Sequence, residues 1–253
     1  MLTLNGLSFA YPAQGPLFTG LNARVEAGQV LAIIGRNGAG KSTLLRLLNG
    51  LLRPDTGEVT VHGRSTAGLK VHEIARDVGT LFQTPEQQLF AARVYEEVAF
   101  GPKQRRLADA EVKGRVDDAL QRTFLSDQAQ RHPLDLSMAE RRFTALASIL
   151  AMHPAVLLLD EPQRGLDRLW TERLEAIIAS ERAAGKAIVL ICHDMDFVDR
   201  NAQIVLALGT GDTPVVRHVD DVFRDPHLLR QASVDTPSRI RLASLDTRRA
   251  AMP

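Results

Sequence analysis

The sequence predicts an α/β protein with a mostly parallel sheet flanked by helices, and three observations carry that prediction. Continuous apolar runs at Val30-Leu31-Ala32-Ile33-Ile34, Val156-Leu157-Leu158-Leu159, Ile188-Val189-Leu190-Ile191-Cys192 and residues 204–208 read as strands buried on both faces. Helical periodicity separates the later runs: from Leu169 to Glu181, Trp170, Leu174, Ile177 and Ile178 fall on one side. Strands alternating with helices imply a parallel sheet with helices on its faces. The third observation is Gly35-Arg36-Asn37-Gly38-Ala39-Gly40-Lys41-Ser42-Thr43, which fits the phosphate-loop pattern G-x-x-x-x-G-K-[ST] between an apolar strand and the helix start Thr43-Leu44-Leu45-Arg46-Leu47-Leu48.

The elements follow in order. Residues 2–30 alternate apolar and polar in places and carry turn residues at Tyr11-Pro12, Gly15-Pro16 and Ala27-Gly28, which predicts an N-terminal antiparallel β subdomain of short strands. In the phosphate loop, glycines let backbone N–H groups wrap a phosphate, and the following helix start adds a favourable partial charge. Asn37, Gly38, Ala39, Gly40, Lys41, Ser42 and Thr43 are the expected nucleotide-binding residues; Lys41 would reach the β- and γ-phosphates and the Ser42 hydroxyl would hold Mg²⁺. The β pattern continues from Gly50 to Gly68, with Pro54-Asp55-Thr56-Gly57 as a turn before Glu58-Val59-Thr60-Val61. From about Pro85 to Met152 the pattern is helical, with Val112, Val116, Ala119 and Leu120 on one face; residues 85–152 read as an inserted helical subdomain. The alternation resumes at Val156, and the end from Arg248 to Pro253 is expected to fray.

Composition sets bounds. A chain of 253 residues can bury a large core, and 45% hydrophobic with 24% charged residues is an ordinary globular balance. A net charge of +1 argues against nucleic acid as the main partner. Cys192 sits in an apolar run and reads as a core residue; a lone cysteine forms no internal disulfide, which suits a reducing compartment. No basic stretch followed by an apolar one opens the sequence, and the longest apolar stretch, Phe143 to Leu159, is broken by His153-Pro154. Action at a membrane is therefore expected to run through a partner.

A second acidic site belongs with the phosphate loop. The apolar strand ending in Asp160-Glu161 would deliver Asp160 beside the loop to hold Mg²⁺, with Glu161 next to it as a general base for the attacking water.

With these residues on the page, the chain resembles the ATP-binding-cassette ATPases over nearly its whole length, with the motifs in family order. The resemblance implies a P-loop NTPase, RecA-like core within an ATPase domain at 1–235, a tail at 236–253, and ATP and Mg²⁺ as ligands. It implies roles for several residues. Tyr11 would stack on adenine, or serve simply as a turn residue. Gln83 would touch Mg²⁺ and sense a membrane partner. Asp167, in Gly165-Leu166-Asp167, would contact the opposite subunit, and His193 would contact the γ-phosphate. Phe82-Gln83-Thr84-Pro85-Glu86-Gln87-Gln88-Leu89-Phe90 and Val94-Tyr95-Glu96-Glu97-Val98-Ala99-Phe100-Gly101-Pro102 are similar to the ATPases of energy-coupling-factor importers of vitamins or transition-metal ions. So are His193-Asp194-Met195-Asp196-Phe197-Val198 and the stretch from Asp221 to Leu242. That narrower likeness implies a place on the cytoplasmic face of the cell membrane. A transmembrane scaffold would dock on residues 84–90, and a substrate-binding membrane subunit would be reached only indirectly.

One segment departs from the family. Where it reads Leu-Ser-Gly-Gly-Gln, facing a nucleotide on the other subunit, this chain has Leu136-Ser137-Met138-Ala139-Glu140. Ser137 could still contact the opposite subunit. Met138 and Ala139 crowd the approach. A helix end attracts an anion by only about 0.3–1 kcal/mol, whereas two like charges 4 Å apart repel by about 1 kcal/mol in water and about 4 at an effective dielectric of 20. Ser137-x-x-Glu140 is also a capping box, which would hold Glu140 on its own backbone. Either way the segment should serve a neighbouring ATP poorly, and a heterodimer with one competent site is expected, with a slow homodimer as the rival. A regulatory subunit with little catalysis and a soluble, non-transport cassette ATPase stand as alternatives.

Overall fold

The computed structural model describes residues 1–12, 15–209, 214 and 216–243. Strand β1 (Leu2–Ala10) pairs antiparallel with β2 (Pro16–Val25), Leu2 opposite Val25. These strands run nine and ten residues, longer than the short strands expected. β3 (Val30–Gly35) enters a second sheet and leads through the phosphate loop into α1 (Lys41–Leu48). The chain then returns: β4 (Thr56–Val61) pairs with the other edge of β1, and β5 (Arg64–Ser65) completes a sheet of order β2-β1-β4-β5. Thr56 and Gly57 belong to β4 and not to the expected turn. The reason is Asp55, whose N–H donates to Ser8 O at 2.9 Å while its carboxylate accepts the Ala10 N–H at 2.8 Å, so pairing with β1 continues through this point.

After α2 (Val71–Ile74), β6 (Val78–Leu81) forms one edge of the central sheet. The helical layer follows: α3 (Val94–Gln104), α4 (Asp109–Arg122) and α5 (Met138–Leu150), with single turns at Pro85–Gln88, Ser126–Gln128 and Pro133–Asp135. The expected α4 face, Val112, Val116, Ala119 and Leu120, is buried. The core resumes with β7 (Val156–Asp160), α6 (Arg168–Ala183), β8 (Ala187–Ile191), α7 (Met195–Asn201), β9 (Ile204–Leu208), β10 (Val216–His218), α8 (Val219–Phe223) and α9 (Pro226–Ala232). The central order is β10-β9-β3-β8-β7-β6, parallel except where β10 meets β9.

The central strands are apolar throughout because both faces are covered. Val30, Ala32 and Ile34 of β3 face the core shared with the helical layer, while Leu31 and Ile33 face the core shared with α1 and the antiparallel sheet. The helical layer is also tied electrostatically: Arg122, at the end of α4, and Lys186 both pair with the fully buried Glu181 of α6. A buried carboxylate is tolerated only with such partners.

The segment set off as a tail at 236 is helical over residues 238–243. Ser238 donates from N and Oγ to the Asp196 carboxylate at 2.6 and 2.7 Å, and Arg239 bridges Asp199 and Asp220. Its described part is thereby fixed to α7 and α8; Arg248 to Pro253 lie outside the described residues. Among the described residues no helix is long and apolar enough to cross a membrane.

Candidate functional site

The site forms where the parallel strands end. At Gly35 (φ 145°) an added Cβ would lie 2.6 Å from Leu208 O, and at Gly40 (φ 95°) 2.7 Å from the Phe18 ring, so neither position accepts a side chain without displacement. The loop lies tight on the protein and then starts α1. That helix start has no side-chain cap and no acidic residue in its first turn. Its free N–H groups therefore face the cavity beside the loop, a built anion cradle.

The cavity measures about 870 Å³. It brings together Tyr11, Asn37, Gly38, Gly40, Lys41, Ser42, Thr43, Gln83, Asp160, Glu161 and His193, all expected site residues. Ala39 does not line it: its side chain is buried in the core below, and its N–H is spent on Arg36 O at 3.2 Å. Tyr11 packs edge-on against Phe9, ring centroids 5.0 Å apart, and its hydroxyl lies 3.1 Å from Thr43 Oγ1. Lys41 Nζ donates to the carbonyls of Gly35 and Arg36 at 2.6 and 3.0 Å, so its ammonium stays over the loop. Burial pushes the Lys41 ammonium down from its ordinary value, against the pull of Glu161 and Asp160.

The two acids differ in setting. Asp160 ends β7 opposite Ile191 and is 8% exposed. Burial, then the neighbouring Glu161, pushes its carboxyl up to about 6 despite Lys41. Glu161 has φ 51°, a left-handed backbone that costs a non-glycine residue about 1–2 kcal/mol. Such strain persists where the surroundings enforce it; here the Glu161 N–H is held by Ile191 O at 2.9 Å. Its side chain is fixed on one oxygen only. Gln163 Nε2 donates to Oε2 at 3.1 Å, while Oε1 is buried with no hydrogen-bond partner among the described residues, 3.7 Å from His193 Nε2. Burial raises its carboxyl above the usual range, which makes it a better proton acceptor. Burial and then Lys41 push the His193 ring down, so it is neutral at pH 7.

These residues suit a magnesium–nucleotide complex. Among the described residues no cluster of three or more His, Cys, Asp or Glu could hold a metal by itself. Mg²⁺ characteristically takes one or two protein carboxylates plus the substrate's phosphates. A buried carboxylate at Asp160, the Ser42 hydroxyl and the Gln83 amide oxygen form that kind of hard-oxygen set around the phosphate loop.

Two expected residues lie outside the cavity and are exposed. Asp167 is the N-cap of α6, accepting the Trp170 N–H at 2.9 Å. Ser137 is the N-cap of α5: its Oγ accepts the Glu140 N–H at 3.3 Å, and Glu140 returns a carboxylate oxygen to the Ser137 N–H at 2.8 Å. Burial would raise the Glu140 carboxyl, but its bonds with Ser137 outweigh that and hold it below the usual range. The capping box thus forms, and Glu140 sits on its own helix. Met138 stands 57% exposed beside it.

Sequence reasoning missed Gln163, the residue that holds Glu161. An amide two positions beyond a strand-ending acid was the available signal, but only the left-handed turn at Glu161 makes the two side chains meet.

A family model described as ABC transporter matches residues 18–164, more than half of the chain and the span from β2 to the loop after Glu161. The chain belongs to the ABC transporter family. This ABC ATPase is 37% identical over 254 residues to the energy-coupling factor transporter ATP-binding protein EcfA of Methanothermobacter thermautotrophicus, covering 97% of this chain and 82% of that one. A second such ATP-binding protein, EcfA2 of Methanospirillum hungatei, is 34% identical and covers 96% of this chain, which spans 62% of that relative's length. Among solved structures, cbiO1 of Clostridium perfringens, part of the ABC transporter complex cbiONQ, superposes with a TM-score of 0.81 at 31% identity, covering 90% of this chain and 92% of that one.

Proposed function

We propose that this ABC ATPase is the ATP-hydrolysing subunit of an energy-coupling-factor type importer for a vitamin or transition-metal ion, bound at the cytoplasmic face of the membrane. The observation that carries the reading is the convergence of the phosphate loop, Asp160, Glu161 and His193 on one cavity. The nucleotide's phosphates lie on the free amides of α1, with Lys41 offsetting their charge and Tyr11 beside the base. Ser42, Asp160 and Gln83 would hold Mg²⁺, which would supply positive charge to offset that of the phosphates. Glu161 takes the proton of the attacking water on Oε1, and the neutral His193 ring donates toward the γ-phosphate.

The second nucleotide of a cassette pair faces Ser137 to Glu140. There the Glu140 carboxylate sits on the first turn and Met138 projects beside it, so the segment offers less to a phosphate than Leu-Ser-Gly-Gly-Gln. A partner cassette with an intact Leu-Ser-Gly-Gly-Gln then makes this chain's own site the competent one, and Asp167 faces that partner. Residues 84–90 dock the transmembrane scaffold; Phe90, 66% exposed, stacks edge-on with Phe100 and offers an apolar seat for a helix end. A substrate-binding membrane subunit is reached through that scaffold. The test is extraction of the chain in detergent with whatever membrane proteins it retains. ATP turnover that rises on scaffold binding supports the reading. A chain that retains no membrane protein removes the transport assignment.

A further inference from the structure

Arg142, one turn into α5, is 7% exposed, and its guanidinium joins two segments distant in sequence. On one side Nη2 donates to Gln83 O at 3.4 Å and stands 3.6 Å from the Glu86 carboxylate as an ion pair; Glu86 Oε2 has no hydrogen-bond partner among the described residues. On the other side Nη1 donates to Arg164 O and, at 3.5 Å, to Pro162 O. Pro162 to Arg164 directly follow Glu161, and Gln163 between them holds the Glu161 carboxylate. The far end of the 84–90 segment is fixed separately, by the buried Glu97 carboxylate accepting the Phe90 and Ala91 N–H groups at 2.9 and 2.8 Å. The segment is thus a stiff strap with its inward charged link at Glu86–Arg142.

We infer that Arg142 is a positioning residue that couples the docking segment to the loop carrying the general base, so that a push on residues 84–90 is felt at Glu161. The physical basis is the rigid guanidinium fork, which can serve carbonyls on two loops at once; a lysine ammonium is a single point charge on a flexible stem. The transmitted signal rests on the docking role proposed above, but the coupling itself does not need a scaffold to be measured.

The test uses the full chain alone, comparing wild type with R142K and E86Q after each variant's thermal unfolding is checked. Amide hydrogen exchange is read at residues 83–91 and 162–167. With coupling, E86Q raises exchange in both segments, by about threefold or more at 162–167, through the loss of its ion pair with Arg142. R142K does the same and lowers kcat for MgATP about tenfold with KM within about twofold, since the base is misplaced while the nucleotide cradle is untouched. Exchange that rises only at 83–91 in E86Q overturns the inference, as does a kcat at the wild-type level in R142K. A failure of the docking reading would show separately, as no membrane protein retained by the wild-type chain.

Discussion

Two helices of this molecule start next to the expected chemistry, and their first turns are built in opposite ways. α1 follows Gly40, has no side-chain cap and no acid in its first turn. α5 follows Ser137 and closes its own first turn with the Ser137–Glu140 box. Both starts carry the favourable end of a helix dipole; what differs is whether side chains of the first turn take up any of the amides. An uncapped start, held by tight glycine packing instead of side-chain bonds, can lend its N–H groups to a phosphate. A capped start commits the Ser137 and Glu140 amides to its own side chains and gains local stability. The phosphate-loop cavity and the segment proposed to face a partner's nucleotide are thus built in different ways within one chain.

The comparison can be sharpened first at the hydrolytic end. E161Q should lower ATP turnover by about 10²-fold or more while MgATP still binds, because the base is lost and the cradle stays. Single-turnover hydrolysis beside calorimetric binding separates the two; turnover near wild type would remove Glu161 from the base role. Next in size is pH. With its carboxyl at about 6, Asp160 is mostly ionised at pH 7 and mostly protonated at pH 5, so MgATP affinity should fall about tenfold over that interval, and ATP in excess chelator should lose much less. For stability the sign is reversed. The folded chain holds this proton more tightly than the unfolded one, so Asp160 favours folding most below the ordinary carboxylate range, and that contribution is lost as pH rises through about 6. Thermal unfolding across pH 4–8 measures the combined effect of all groups, and D160N isolates this one. The smallest expected effect is at the capped helix: S137A should cost about 1 kcal/mol, seen as a fall of about 2–4 °C in the unfolding midpoint.

Much of this was legible in the sequence because period and punctuation agree. The continuous runs of β3, β7 and β8 became strands buried on both faces, and the strand–loop–helix context of Gly35 to Thr43 placed the cradle. Ser137-x-x-Glu140 carried both the family departure and the cap, and only coordinates could show that the cap forms. What stayed hidden depends on long-range geometry. Arg142 follows the Leu136–Glu140 segment in sequence, and nothing in its neighbours indicates that it meets Gln83 and Arg164. The left-handed turn at Glu161 is likewise set by Ile191 of a different strand. Asp55 extended β4 through an expected turn by bonds to β1.

The most direct measurement of the central claim is ATP turnover of the wild-type chain mixed with a partner copy carrying M138G/A139G/E140Q to strip the side chains and the carboxylate from the first turn of α5 and E161Q to silence its own site. The account predicts slow turnover by the wild-type chain alone and a rise of about tenfold or more on adding that copy, because a glycine-lined helix start without a carboxylate then faces the intact cavity. Brisk turnover by the wild-type chain alone, unchanged by the added copy, would contradict it.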